Sequence, residues 1–559
     1  MNDTHRSRGA HPDSSNPALP ADGRVARLQA HARRLQQIHL RELIPDEARQ
    51  SRLQCQAGPL HADFSRQRMD ADALNELLLW AQDCDIDGAR KRLADGSRVN
   101  FTEGRAAVHP ALRGPYGPES VREQAAHERR RMAVLVQALR SGQITGYTGA
   151  PIQALVCLGI GGSDLGPRLV SDALAPDGAY TVRYAANVDP RDLGHCLHGL
   201  HPDTTAFAVV SKTFTTRETL ANAAAARAWL RSAGCPPDRE AEHFIGITAA
   251  PAAARAWGIR HEHLLQFDEG VGGRYSLWST VGFGAAVACG MPVFDALLEG
   301  ACGMDAHFFE QAAPHNLPVL MGLISVWNRS FMKHGSLAVL PYAERLSLLP
   351  AWLQQLVMES NGKTARADGI AAERSGLSTA PVIWGACGTT AQHSFLQQLH
   401  QGPEAVPTEF ILLRSSEGRT ARNDERQRIL LANALAQAAA LAIGQTRPVG
   451  RAMGPADATD LSAHQDFPGN RPSTLLLLHD LSAQSLGALL ACYEHATFTA
   501  ATLLGINPFD QFGVELGKRL ALSVEQALIH ADGPHGAMSS QAGLASLDAS
   551  TRKSLERLL

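Results

Sequence analysis

Ile152-Gln153-Ala154-Leu155-Val156-Cys157-Leu158-Gly159-Ile160-Gly161-Gly162-Ser163-Asp164-Leu165-Gly166 is the stretch from which the rest of the chain can be read. It opens as an apolar run of strand length, Ile152–Leu158, and breaks into glycines where a helix would begin. Runs of the same kind follow at Tyr180–Ala186, Thr205–Val210 and His243–Thr248, with helical stretches such as Thr215–Ala233 between them. Short apolar strands alternating with helices predict a parallel sheet covered on both faces. The alternation resumes at Ser336–Leu340, Pro381–Gly385, Glu409–Leu413 and Ser473–Leu478, separated by helices over Leu349–Ser360, Asp424–Ala442 and Leu481–Leu504. The expected fold class is therefore α/β, in two successive units of similar size.

Upstream, Arg24 to Arg49 is helical and charged, and an amphipathic helix follows Asp70 as its cap, ending at Asp83. A terminal helical segment starts near Val514. The expected organisation is a polar leader over residues 1–23, taken as disordered, and a helical arm over 24–120. An α/β unit over 121–300, a second over 301–510 and a helical segment over 511–559 complete it.

The bulk composition narrows the function. The chain has 559 residues, 45% hydrophobic and 19% charged, with a net charge of −3, a balance that argues against non-specific nucleic-acid binding. Nine scattered cysteines, never spaced as CxxC, argue against a disulfide framework or a zinc knuckle and fit a reducing compartment. The leader has no apolar core of a secretory signal, and no run of about 18 apolar residues marks a spanning helix. A cytoplasmic protein with no membrane partner is expected.

The glycines after Leu158 let backbone amides approach an anion, and the helix that follows offers its positive end. Two nucleotide signatures fail here. A dinucleotide fingerprint counted from Gly159 needs glycine where Asp164 stands, and a P-loop counted from Gly161 reaches Gly166 but continues Pro167-Arg168. A tight strand-to-helix turn without ligand explains the glycines equally well. The second candidate is the cluster Ser211-Lys212-Thr213-Phe214-Thr215-Thr216-Arg217-Glu218-Thr219, just past the end of Thr205–Val210. Hydroxyls and a cation at the carboxyl end of a parallel strand suit a phosphomonoester. Helix capping accounts for one or two of these residues but not for the cluster.

Taken in order, Gly159–Gly166, Ser211–Thr219, Gly272-Gly273-Arg274-Tyr275-Ser276, Gln355 with Glu359-Ser360-Asn361-Gly362-Lys363, and Gln511–Lys518 (QFGVELGK) resemble the glucose-6-phosphate isomerase family. Asn100–Ala106 and His109–Arg113 resemble its N-terminal block, so the likeness runs from about residue 40 to about residue 530. Phe267–Val271, Ala386-Cys387 and Phe64-Ser65-Arg66 depart from the usual family pattern, away from any proposed catalytic group.

The resemblance implies two sugar-isomerase (SIS-type) subdomains, each a parallel sheet flanked by helices. It implies a homodimer, no metal or other cofactor, and reversible conversion of glucose 6-phosphate and fructose 6-phosphate through ring opening and a cis-enediolate. A carboxylate can take a proton from C2 and return it to C1, which makes Glu359 the expected base. Gln355, four residues earlier on one helix face, is substrate-binding by resemblance. Arg274 suits a developing oxyanion because it never loses its charge. His393 and Lys518 carry over as the ring-opening pair, with His393 entering the partner subunit's site, and Gln511 as a substrate contact. Gly162, Ser163, Ser211, Lys212, Thr213 and Thr216 carry over as the phosphate and substrate-binding group. An isomerase of another hexose phosphate, a non-catalytic sugar-phosphate sensor and a nucleotide-dependent enzyme are the alternatives.

Overall fold

The structure, a computed structural model, describes residues 22–445, 463–531 and 547–558. Most of the expected leader, residues 1–21, lies outside the described residues. The chain divides into two compact units, Met1–Pro508 and Phe509–Leu559.

In the first unit the opening helical stretch is broken into Asp22–Leu35, Leu40–Leu43 and Glu47–Arg52. Local caps make the breaks: the His39 ring accepts from the Arg41 N–H, and the Asp46 carboxylate accepts from the Arg49 N–H. Asp70 caps Ala71–Asp83 as its sequence position predicts, accepting from the Ala73 N–H. Between these helices lies a hairpin of β1 (Gln54–Ala57) and β2 (Leu60–Asp63), which corrects the reading of this region as helical. Four-residue strands are too short to establish a period of their own. They form because β2 pairs antiparallel with a strand more than 400 residues later, through Leu60 to Leu478 and Asp63 to Leu475.

The first sheet contains β3 (Ala154–Leu158), β4 (Thr181–Ala185), β5 (Thr205–Val210), β6 (Phe244–Thr248) and β7 (Leu264–Gln266). Their order is β4-β3-β5-β6-β7, and every pair is parallel. Every residue of β3, β5 and β6 is buried, as expected for strands covered on both faces. Phe207, Phe244, Val156, Ala223 and Leu230 form one side of its core. From β3 the chain goes outward to β4, then returns to β5 on the other side of β3. The crevice beyond the ends of β3 and β5 is therefore the topological switch point, where sheets of this kind receive ligands.

The second sheet contains β8 (Ser336–Pro341), β9 (Val382–Gly385), β10 (Thr408–Leu413) and β11 (Ser473–Leu478), in the order β1-β2-β11-β10-β8-β9. Its four later strands are parallel. Tyr342, Phe410, Leu412 and Leu441 belong to its core. Glu409, on β10, lines two cavities and accepts a hydrogen bond from the Tyr493 hydroxyl at 2.8 Å. Burial pushes its carboxyl up to about 7. The folded state thus holds this proton more tightly than the unfolded chain, so stability falls as pH rises from the ordinary glutamate range to about 7. Glu409→Gln removes that slope: relative to wild type it gains about 2 kcal/mol between pH 5 and pH 8, once the side chain's partial accessibility is allowed for. Denaturant titrations at the two pH values check this, and equal differences would refute it.

Two long helices, Met291–Glu310 and Ala483–Leu504, cross at close range. A Cβ on Gly300 would stand 2.0 Å from the Gln484 carbonyl, and one on Gly487 would stand 2.0 Å from the Leu297 carbonyl. Only glycine permits that approach. The crossing is closed by a buried charge cluster. Arg113 donates to both oxygens of Asp305 at 2.8 Å and to Glu494 at 2.6 Å, while the Trp278 indole donates to Glu494 at 2.7 Å. His495 bonds Asp305 at 2.6 Å.

The second unit contains a short turn, Phe512–Val514, and the helices Glu515–Ala531 and Ala549–Leu558, with Ala527, Leu547 and Leu555 in a small core. Among the described residues no helix is long and apolar enough to cross a membrane.

Candidate active site

The glycine loop after β3 tightens into a single turn, Gly161–Ser163, before the helix Leu165–Leu174. Asp164, the residue that breaks the dinucleotide fingerprint, is buried and paired at 2.7 Å with Arg168, the residue that stands at the Ser/Thr position of the P-loop count. A carboxylate in that position opposes a pyrophosphate, and its arginine is already engaged. The failure of both nucleotide signatures thus has a structural content.

A glycine is required at 162 by close approach. A Cβ there would lie 1.9 Å from the Gly273 carbonyl, and one on Gly161 would lie 2.9 Å from the Gln355 amide nitrogen. The first loop is therefore pressed against two others, the Gly272–Tyr275 turn and the segment carrying Gln355. Ser276 completes the contact, its hydroxyl donating to the Gly162 carbonyl at 3.5 Å and to the Gly273 carbonyl at 2.6 Å.

Beyond β5, the Ser211 and Thr216 hydroxyls bond each other at 2.9 Å, and those of Thr213 and Thr215 at 2.7 Å. Thr216 stands at the N-cap of the helix Arg217–Ser232 without capping it through its side chain. Phe214 takes a left-handed backbone (φ 53°) and buries its ring, which turns its hydroxyl-bearing neighbours outward. Lys212 donates to the Val271 carbonyl at 3.0 Å and so ties this loop to the Gly272–Tyr275 turn. Burial and the nearby Arg105 lower the Lys212 ammonium from its ordinary value, while Glu103, Glu269 and Asp268 oppose the shift.

The segment expected as one helix over Leu349–Ser360 is instead α-helical over Leu349–Leu353 and π-helical over Gln354–Glu359. Such insertions are frequent at functional sites and carry no periodic sequence signal. Gln355 and Glu359 still share a face: the Gln355 amide donates to Glu359 Oε2 at 3.1 Å. Arg274 Nη1 lies 3.4 Å from the same oxygen. The Glu359 side chain is 25% exposed and that of Arg274 only 2%. The carboxylate is thus reachable from solvent while its cation is locked inside. Lys363 donates to the Glu359 carbonyl at 2.7 Å, holding the end of the turn. Residues 159–163, 273–276 and 355–363 thus meet at one place, with Ser211–Thr216 joined to them through Lys212.

His393 closes the short turn Thr390–His393 after β9 and is exposed. Gln511 and Lys518 belong to the second unit, the former just before the turn at Phe512 and the latter within Glu515–Ala531. Sequence reading assigned no role to Ser360, Tyr275 or the Asn507-Pro508 pair, although all hold the site. Arg274 Nε donates to Ser360 Oγ at 2.7 Å, its Nη2 donates to the Pro508 carbonyl, and Asn507 donates to Asn100 and Thr102 at 2.8 and 2.6 Å.

A two-sheet α/β fold with hydroxyl- and glycine-rich loops at a switch point, beside a half-open carboxylate held by a buried arginine, defines the class of protein. The family model described as phosphoglucose isomerase matches residues 63–545. The chain belongs to the phosphoglucose isomerase family. It is 44% identical over 510 residues to the glucose-6-phosphate isomerase of Burkholderia orbicola, covering 90% of this chain and 93% of that one. The glucose-6-phosphate isomerase of Paraburkholderia xenovorans is 43% identical over the same length and shares. The crystal structure of a glucose-6-phosphate isomerase from Chlamydia trachomatis superposes with a TM-score of 0.80 at 30% identity, over 92% of this chain and 96% of that one.

Proposed function

We propose that the protein interconverts glucose 6-phosphate and fructose 6-phosphate, as the names of its relatives suggest, in the cytoplasm and as a homodimer. The observation that carries the reading is the Gln355–Glu359–Arg274 constellation, set against the glycine loop of the switch point. In this reading Gly162, Ser163, Ser211, Lys212, Thr213 and Thr216 receive the phosphate and the adjoining sugar. Its binding holds C1 and C2 near Glu359 and is used to lower the barrier. Glu359 takes the C2 proton of the open-chain aldose. Negative charge moves onto the carbonyl oxygen, facing Arg274; the C2 hydroxyl proton passes to O1, leaving C2 as the new carbonyl, and the same carboxylic acid returns the carbon-bound proton to C1. Gln355 orients Glu359 and the substrate.

Ring opening needs a proton donor and acceptor near neutrality, roles assigned to His393 and Lys518, with Gln511 as a substrate contact. The exposure of His393 is what donation to a partner subunit's site would require. The test is a coupled assay that converts fructose 6-phosphate and reads glucose 6-phosphate by nicotinamide reduction, in excess chelator and beside mannose 6-phosphate. Turnover of the glucose–fructose pair is the expected result. Binding of these sugars without turnover would overturn the reading.

A further inference from the structure

We infer that Ser360, backed by Tyr275, is a positioning residue that fixes the Arg274 guanidinium against Glu359. The inference rests on the isomerase reading above and deepens it by naming what aims the oxyanion cation. Arg274 is anchored on three sides: Nε by Ser360 Oγ at 2.7 Å, Nη2 by the Pro508 carbonyl, and Nη1 facing Glu359 at 3.4 Å. A guanidinium is planar, so an anchor on Nε and another on Nη2 together determine where Nη1 points. Removing the Nε anchor takes away one of the contacts that set this angle, beside those to the Pro508 carbonyl and the Tyr275 hydroxyl.

Ser360 is itself held. Its hydroxyl is fully buried and hydrogen-bonded to that of Tyr275 at 3.0 Å, and Tyr275 is 1% exposed. The Tyr275 ring stacks on His109 with centroids 4.7 Å apart and planes 25° apart. Burial, with Arg113 and His495 nearby, lowers the His109 imidazole well below its ordinary value. Trp278, three residues after Tyr275, is fixed by Glu494 in the buried charge cluster. The arginine's orientation thus leads back to buried residues: the Tyr275–His109 stack and the Trp278–Glu494 bond. Ser360 also follows Glu359 directly in the chain, so one backbone segment places both the base and the anchor of the cation.

The test is kinetic. In wild type, turnover in the coupled assay establishes the isomerase; its absence would overturn that reading and this inference with it. Given turnover, Ser360→Ala lowers kcat roughly 10- to 100-fold with KM changed less than about threefold, because the phosphate loops are untouched. Affinity for a planar hydroxamate analogue of the enediolate falls with kcat, and affinity for a sugar-alcohol phosphate does not. Tyr275→Phe keeps the ring and lowers kcat at least about threefold. In an Arg274→Lys background, which has no Nε to hold, Ser360→Ala changes kcat less than about twofold. Wild-type turnover in Ser360→Ala, or an equal loss in both backgrounds, would assign Ser360 a purely structural role and overturn the inference. Should Ser360→Ala fail to fold, Tyr275→Phe decides alone, and an unchanged kcat there overturns it.

Discussion

Glu359→Gln loses roughly 10²- to 10⁴-fold in isomerase turnover while keeping its fold and its affinity for sugar phosphates. The amide has the carboxylate's shape and keeps an oxygen for Arg274 Nη1 and the Gln355 amide, which face Glu359 Oε2 at 3.4 and 3.1 Å. What it lacks is a basic oxygen. A side chain 25% exposed, at the end of a helical turn, also contributes little to stability, so the loss is not a folding defect. The sharper readout is exchange of the C2 hydrogen with labelled water, which the same group must perform. Exchange or turnover near wild-type level would remove Glu359 from the mechanism.

Arg113→Met destabilises the fold by about 3 to 5 kcal/mol, the usual cost of leaving buried charges unpaired. Arg113, Asp305 and Glu494 have side chains 0 to 1% exposed, and the guanidinium also lies over the Trp278 ring, 4.4 Å from its centroid. Full burial pushes the Asp305 carboxyl up, but Arg113 and His495 together hold it below its ordinary value. The stabilisation from this shift is present above the ordinary aspartate range and is lost as pH falls through the lowered value, so the variant's deficit narrows in acid. Thermal and denaturant midpoints at neutral pH and at a pH below the ordinary aspartate range measure both effects. A variant as stable as wild type at neutral pH would show that the cluster is replaceable.

The strands of both sheets were legible where burial on two faces made their sequences uniformly apolar. Thr205–Val210 and Ser473–Leu478 match their predicted bounds. The hairpin at 54–63 and the three-residue β7 were not, since each is stabilised by a pairing partner rather than by its own pattern. Gln355, Glu359 and Arg274 were legible through motif and spacing, and the structure brings them together. The π-helical turn had no sequence signal, because what distinguishes it from an α-helix is a hydrogen-bond register.

Ser360 lay inside a quoted motif, yet its hydroxyl gains meaning only from an arginine 86 residues earlier. The charge cluster did leave a trace that went unread. Glu494 and His495 are the only ionisable Asp, Glu, His, Lys or Arg residues within the mostly apolar, buried helix Ala483–Leu504, and such groups must be answered by buried partners.

The Pro508 carbonyl that anchors Arg274 comes 234 residues after it in the chain. At synthesis rates of 5 to 20 residues per second, the arginine leaves the ribosome roughly 10 to 50 s before that anchor exists. During that interval the nascent polypeptide already carries its phosphate loops and its first sheet, but the oxyanion cation has not been aimed. A chain stalled before Pro508 lacks this anchor of Arg274, so chemical competence arrives late in translation.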